Sequence, residues 1–143
     1  MYENVVVIDS NFILLPFQFK VDYLNEILLK LEGKTNFIIF KQILNELESK
    51  KNRESQAMKF QMEFKSGLLY LESNKDKYNI LFDENVKQNY ETTDEFLIKQ
   101  CNSLKKRSKH VFLATNDTNL RKEAKRFGIS TIFLRQKKYL SFD

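Results

Sequence analysis

Four acidic residues stand at positions in the sequence that favour metal-dependent chemistry: Asp9, Glu46, Asp94 and Asp117. Asp9 directly follows an apolar run at residues 5–8, and Asp117 comes shortly after a second apolar run at residues 111–114. In open parallel sheets, functional side chains gather beyond the carboxyl ends of the strands. Carboxylates brought together there would repel one another unless a cation held them. Mg²⁺ or Mn²⁺ suits such an oxygen-rich site.

Three of these acids also have ordinary structural explanations. Asp117 is well placed to cap the helix that follows it. Asp94 lies within residues 92–95, which match a helix capping box. Glu46 has Lys50 one helical turn later as a pairing partner. Asp9 is the hardest to explain in this way, because a carboxylate that ends a buried strand needs partners. The joint placement of the four acids favours a functional site.

The rest of the composition excludes several other kinds of site. Cys101 is the only cysteine and His110 the only histidine. An internal disulfide framework and a zinc site built from several Cys or His side chains are therefore excluded, and a serine-type catalytic triad is disfavoured. Cys101 lies on the apolar stripe of its helix, which indicates a role in core packing. Neither a G-x-G-x-x-G motif nor a P-loop occurs, so a nucleotide-binding α/β domain is disfavoured.

Strands and helices alternate through most of the chain. Strands are predicted at residues 5–8, 37–40, 78–82, 111–114 and 129–134. Helices are predicted at 21–31, from 43 onward, 53–72 (one helix or a broken pair), 92–106 and 120–127. The segment around Pro16 is predicted to be a loop. This alternation predicts a single α/β domain over residues 1–143, a three-layer α/β/α sandwich around a mostly parallel five-stranded sheet.

Basic residues are concentrated in the last third of the chain. From residue 99 onward there are 12 basic and three acidic residues, a net charge of +9, whereas the first 98 residues sum to −4. A polyanion-binding enzyme has this kind of asymmetry, although a solvated Lys-rich surface also explains it. The candidate contacts to such a polyanion are Lys105, Lys106, Arg107, Arg121, Lys122, Arg135, Lys137 and Lys138.

Targeting signals are not visible in the sequence. Residues 1–4 do not form a basic leader region, and no stretch reaches the roughly 18 apolar residues of a membrane helix. We therefore expect a soluble, cytoplasmic protein with no membrane contact.

Four sequence motifs together resemble those of the PIN-domain ribonuclease family, in the family's order. They are VVVIDSN at residues 5–11, LNELE at 44–48, the acidic pair at 94–95, and ATND at 114–117. The resemblance covers nearly the whole chain. Residues 13–27 and 133–140 further resemble archaeal PIN proteins related to the small-subunit rRNA-processing endonucleases, and the family also includes toxins of the VapC type.

The resemblance implies a function and a set of site residues. It implies hydrolysis of single-stranded RNA, with rRNA as one substrate, by an endoribonuclease that uses Mg²⁺ or Mn²⁺. Asp9, Glu46, Asp94 and Asp117 would be the catalytic and metal-binding acids, with Glu95 as a further metal ligand. Ser10, Asn11, Thr115 and Asn116 would orient those carboxylates.

One departure from the family pattern keeps other functions open. Many relatives carry another acid two places after the last Asp, where this chain has Asn119. A catalytically weak or inactive module that binds RNA or acts in ribosome assembly is one alternative. The toxin of a toxin–antitoxin pair, with an antitoxin protein as partner, is another. The resemblance also leads us to expect a homodimer.

Overall fold

The computed structural model describes residues 2–53 and 57–143. Over these residues the chain forms one six-stranded sheet with the strand order β3-β2-β1-β4-β5-β6. The strands are β1 (Tyr2–Ile8), β2 (Thr35–Phe40), β3 (Asn79–Asp83), β4 (Ser108–Ala114), β5 (Ser130–Arg135) and β6 (Tyr139–Phe142). The first five are parallel, and β6 pairs with β5 in the antiparallel sense. The α/β fold and its mostly parallel sheet are confirmed.

Helices connect the strands and cover both faces of the sheet. They are α1 (Ser10–Ile13), α2 (Leu15–Phe19), α3 (Tyr23–Lys30), α4 (Lys41–Arg53), α5 (Met58–Asn74), α6 (Thr93–Leu104) and α7 (Thr118–Arg126). From β1 the chain proceeds to β2 and β3 on one side, then crosses to β4 and β5 on the other. Because such crossovers are right-handed, α1 to α5 lie on one face of the sheet and α6 and α7 on the opposite face.

The central strands are buried on both faces, as their sequences predict. All four residues from Val5 to Ile8 are fully buried, and every residue of β2 is buried. Continuous apolar runs are typical of parallel strands between two helical layers. The outer strand β3 is instead largely exposed, with Leu81 and Phe82 accessible to solvent. Within the described residues, no helix is both long enough and apolar enough to cross a bilayer.

The predicted strand count was wrong by one, because the sequence analysis missed β6. The chain reaches β6 through a tight turn after Arg135, in which Gln136 and Lys137 have φ values of 54° and 58°. Both values are in the left-handed region, and three residues, 136–138, connect Arg135 to its strand partner Tyr139. Gly, Asn or Asp usually marks a turn with positive φ values, so the Gln-Lys sequence does not predict it.

The segment around Pro16 is helical, although the sequence analysis predicted a loop. Pro16 stands in the first turn of α2, where the missing N–H is not needed for a helical hydrogen bond. The helix predicted over residues 53–72 corresponds to α5, which begins at Met58. Residues 54–56 lie outside the described part of the chain.

Gly67 lets α5 approach the short helix that follows β1. A Cβ atom added to Gly67 would lie 2.2 Å from the carbonyl oxygen of Ile13, and 3.0 Å from its Cγ2 atom. A side chain there would therefore push α5 away from α1.

We expect Gly67→Ala to lower the free energy of unfolding by about 1–3 kcal/mol, the usual cost of overpacking a buried contact. The matched control is Ser66→Ala, one residue earlier on the same helix, which should change stability far less. Urea denaturation measures both. A Gly67→Ala protein as stable as the wild type would show that α5 and α1 are not in this close contact.

Candidate active site

The acidic residues lie at the point where the strand order reverses. Strands β1 and β4 are neighbours, with Ile8 paired to Ala114 at their carboxyl ends. The chain leaves β1 at Asp9 and leaves β4 at Thr115, so these residues emerge side by side. In doubly wound sheets, the crevice at this switch point is where ligands bind.

Asp9 is a buried carboxylate held by three hydrogen-bond donors. Only 7% of the Asp9 surface is exposed to solvent. One oxygen accepts from the backbone N–H of Ser10 at 2.7 Å. The other accepts from the Thr115 hydroxyl at 2.7 Å and from the Asn11 amide at 3.2 Å. The three donors fix the direction of the carboxylate.

The electrostatic surroundings of Asp9 oppose its negative charge. Burial raises the pKa of Asp9, and the hydrogen bonds from Thr115 and Ser10 only partly offset that effect. The negative charges of Glu46 and Asp117 raise the pKa further. Among the described residues, then, the charges that act on Asp9 are those of other acids.

Thr115 connects the ends of the two central strands. It is fully buried, and its hydroxyl oxygen accepts from the Asn11 amide at 3.2 Å and from the backbone N–H of Asp117 at 3.1 Å. Asn116 extends the network: its N–H donates to Asn11 Oδ1 at 2.9 Å, and its side chain accepts from Leu134 N at 2.7 Å. These residues join the segments that follow β1 and β4 to each other and to β5, around Asp9.

Glu46 and the start of α6 meet across the opposite side of the crevice. The Thr93 hydroxyl donates a hydrogen bond to Glu46. The buried Gln42 side chain contacts the same hydroxyl at 3.5 Å. The ammonium group of Lys50 lies over the ring of Phe60, 4.6 Å from its centroid, rather than against Glu46. Glu46 is therefore oriented by α6 and not by a pair within its own helix.

Asp94 and Asp117 complete the acidic group. Partial burial raises the pKa of the Asp94 carboxyl, and the charges of Asp117 and Asp9 raise it further. Asp117 caps α7 by accepting from Leu120 N at 3.0 Å. The cap that the sequence suggested is thus present, and the same residue also acts on both other aspartates. We call Asp9, Glu46, Asp94 and Asp117 the acidic group.

The structure does not bring Glu95 to the acidic group. Its carboxylate accepts from the Thr92 backbone N–H at 3.0 Å, and the Thr92 hydroxyl accepts from the N–H of Glu95 at 3.1 Å. This capping box is the one that the sequence predicts. The hydrogen bonds with Thr92 lower the pKa of Glu95. Asn119 is exposed near the start of α7 and, with Asp94 and Glu95, lines a cavity of about 650 Å³ between α6 and α7.

The donor set suits a hydrated divalent cation better than a closed cage. Within residues 2–53 and 57–143, no three Asp, Glu, His or Cys side chains are arranged as a ready set of metal ligands. Mg²⁺ keeps several waters and needs only one or two protein carboxylates together with substrate phosphate. A buried carboxylate surrounded by like charges is also the kind of ligand that a cation stabilises. The acidic group fits Mg²⁺ or Mn²⁺ on these grounds.

The basic residues predicted to bind RNA are divided between the two edges of the sheet at which the parallel strands begin and end. Lys105, Lys106 and Arg107 precede β4, so they lie about 20 Å from its carboxyl end at 3.3 Å per residue. Lys105 donates to the carbonyl oxygens of Phe127 and Gly128, beyond the end of α7. The structure does not bring these three residues to the acidic group.

The other predicted RNA contacts belong to elements at the same edge as the acids. Arg135 ends β5, and Lys137 and Lys138 lie in the turn that follows. Arg121 and Lys122 lie in the first half of α7, and the guanidinium of Arg121 stacks on the Phe133 ring at 3.7 Å. We call these five residues the carboxyl-edge basic cluster.

A further basic surface, which the sequence analysis did not predict, lies beside Glu46. Lys50, Arg53 and Lys87 line a cavity of about 460 Å³ together with Ser10 and Glu46. Lys50 and Arg53 follow Glu46 at helical spacing, which is a signal that the sequence contains. Lys87 comes from a loop after β3, and only the structure shows that it lies beside Glu46.

Cys101 is fully buried, which raises the pKa of its thiol to about 12, as expected for core packing.

The fold and the site define an α/β domain with acidic residues at the switch point of a mainly parallel sheet. Comparison with protein families matches residues 6–135 to the PIN domain. The chain belongs to the PIN domain family.

Solved structures share this fold. The chain is similar to the PIN domain endonuclease Utp24, with 21% sequence identity, a TM-score of 0.67, and coverage of 97% of this chain and 90% of the other. It is also similar to a domain of a functionally unknown protein from Methanocaldococcus jannaschii DSM 2661, with 15% identity, a TM-score of 0.63, and coverage of 92% and 91%. Among curated proteins, no sequence matches significantly.

We expect Thr115→Val to lower the free energy of unfolding by about 1–3 kcal/mol, because the buried Asp9 carboxylate and two other polar groups lose a hydroxyl partner. The substitution should also raise the pKa of Asp9 further, since the Thr115 hydrogen bond lowers it. Thr115→Ser keeps the hydroxyl and is the control. Equal urea denaturation curves for the Val and Ser variants would contradict the role of this hydroxyl.

The raised pKa of Asp9 predicts how stability depends on pH without metal. The folded state binds the Asp9 proton more tightly than the unfolded chain does, so stability falls as pH rises from 3.8 through the folded pKa. Asp9→Asn carries no such charge. In EDTA, the stability of the variant relative to the wild type should therefore increase across that window and then level off.

Denaturation curves of both proteins at a series of pH values measure this difference. Any hydrogen bond lost in the variant contributes equally at every pH and does not affect the slope. A difference independent of pH would show that Asp9 is not desolvated. Adding Mn²⁺ above the window should reduce the difference, because a bound cation offsets the charge of Asp9.

Proposed function

We propose that this protein is a metal-dependent endoribonuclease that hydrolyses phosphodiester bonds of single-stranded RNA. The observation that carries the proposal is Asp9, a buried carboxylate at the switch point whose charged neighbours are other acids. Such an arrangement is costly to folding unless a cation binds there. Sites that are costly to stability in this way are typically functional.

Family membership supports a nuclease activity. The matched domain spans nearly the whole chain, and one similar solved structure is described as an endonuclease. The motifs at residues 13–27 and 133–140, which resemble those of archaeal rRNA-processing relatives, favour ribosomal RNA precursors in the cytoplasm as substrates. An antitoxin partner and a homodimer remain expectations from the same resemblance.

The acidic group would divide the work of hydrolysis. Asp9, Asp94 and Asp117 would hold Mg²⁺ or Mn²⁺, which when bound lowers the pKa of a water and stabilises charge in the transition state. Glu46, whose direction is set by the Thr93 hydroxyl, would orient the attacking water. The hydrogen bonds from Thr115, Asn11 and Ser10 hold Asp9 in place, so that its charge is already positioned before substrate arrives.

Substrate binding would use the carboxyl-edge basic cluster. These side chains contact phosphates without reading sequence, so binding should weaken steeply with salt. The sequence also suggested RNA contacts at Lys105, Lys106 and Arg107. Because β4 separates them from the acidic group by about 20 Å, they could contact only distant parts of a long RNA.

A second candidate function is an RNA-binding module that does not cleave. Two observations favour it: Asn119 stands where many relatives have an acid, and no ready set of three metal ligands exists among the described residues. The same surfaces would then bind RNA during ribosome assembly. Cleavage decides between the two functions.

We expect labelled single-stranded RNA to be cut in Mn²⁺ or Mg²⁺ and to remain intact in EDTA. Asp9→Asn should reduce the rate by at least about 100-fold, since loss of a residue that only supports a metal ligand costs 10–100-fold. Asp76→Asn is the matched control, because this exposed acid lies in the turn before β3, at the far edge of the sheet. RNA bound equally by all three proteins but never cut would support the binding module instead.

A further inference from the structure

A polar cavity of about 460 Å³ opens beside the acidic group along α4. It is lined by Ser10 and Glu46 at one end and by Lys50, Arg53 and Lys87 further along. We call it the α4 groove. Ser10 donates its backbone N–H to Asp9, so the groove begins directly at the buried carboxylate. Any polymer lying in the groove would therefore pass into the acidic group.

The basic groups of the α4 groove are spaced along one face of the helix. Glu46, Lys50 and Arg53 follow one another at intervals of four and three residues, so they project from successive turns about 5 Å apart. This repeat is of the same order as the spacing of phosphates along a nucleic acid strand. The opposite wall contributes Lys87, whose backbone N–H donates to Gln42 Oε1 at 3.1 Å.

These basic groups are available to a ligand. In the described ranges, the ion pairs near the groove join Lys41 to Glu84 and Lys51 to Glu48, and none uses Lys50, Arg53 or Lys87. Lys50 and Arg53 are exposed. The Lys50 ammonium lies over the Phe60 ring, which holds the charge in place without neutralising it. The groove therefore presents three cations and one acid to solvent.

We propose that the α4 groove binds the phosphate backbone of the RNA on one side of the bond that is cut. This inference rests on the proposed function and names a surface for it. The carboxyl-edge basic cluster lies across the switch point, after β4 and β5, so the strand would run from α4 over the acidic group to the β5–β6 turn. The Lys-rich residues before β4 lie outside this path.

The test compares two double variants that remove the same charges at different places. Lys50→Ala with Arg53→Ala empties the α4 groove of two cations, and Lys30→Ala with Lys34→Ala removes two exposed cations shortly before β2, at the opposite edge of the sheet. Binding of a fluorescein-labelled single-stranded RNA is measured by anisotropy in EDTA, which prevents metal-dependent cutting, over a series of salt concentrations. Circular dichroism checks that each protein is folded.

For the groove variant we expect affinity to fall about tenfold or more, and the slope of log K against log salt to decrease by about 1.4, at roughly 0.7 per phosphate contact on a single strand. The far-edge variant should change both quantities much less. A third variant, Lys50→Arg with Arg53→Lys, keeps the charges and should keep the slope.

Three outcomes would overturn the inference without affecting the proposed function. Equal losses in the two double variants would mean that only overall charge matters, and an unchanged groove variant would mean that RNA lies elsewhere. Loss of binding in the charge-keeping variant would indicate a structural role for Lys50 and Arg53. Absence of RNA binding in every protein, wild type included, would instead overturn the proposed function, and the inference with it.

Discussion

The structure depends on keeping a carboxylate buried where the central strand ends. Asp9 follows four fully buried residues of β1, and its position at the switch point is fixed by the strand order. Burying a charge is costly unless hydrogen bonds replace its hydration. Thr115, Asn11 and the N–H of Ser10 supply those bonds. Each of these residues directly follows β1 or β4 at the same end of the sheet. The hydrogen bonds that satisfy Asp9 therefore also hold the ends of the two central strands together.

Helix capping and site formation are also joined at this edge. Asp9, Thr92 and Asp117 are the N-caps of α1, α6 and α7. The N-termini of α6 and α7 thus face the acidic group, where the partial positive charge of a helix start partly offsets negative side chains. A structural and a functional explanation of Asp117 are therefore compatible, because the cap is what holds its carboxylate near Asp9 and Asp94. A bound cation would neutralise the negative charge of the acidic group that the helix N-termini offset only in part.

The sheet determines which basic residues lie near the acidic group. The chain carries a net charge of +5, and its basic residues are most frequent after residue 99. Along the sequence, Lys106 and Arg135 look alike. In the fold they lie at opposite edges, because one precedes β4 and the other ends β5. Lys50 and Arg53 belong to the acidic half of the sequence, yet they lie beside Glu46 at the site. Where a charge lies relative to the acids decides whether it can hold a substrate.

What the sequence by itself determined is local. The continuous apolar run at residues 5–8 predicts a strand buried on both faces, the capping box at residues 92–95 predicts the start of α6, and the ordered acidic motifs predict the PIN domain; each depends on neighbours along the chain. Only the tertiary structure decided that Thr93 would orient Glu46, 47 residues away. It also decided that Glu95 would hydrogen-bond to Thr92 in the capping box instead of joining the acidic group, and that β6 would extend the sheet. These outcomes depend on strand order, crossover direction and turn geometry, which bring distant residues together and leave no periodic pattern in the sequence.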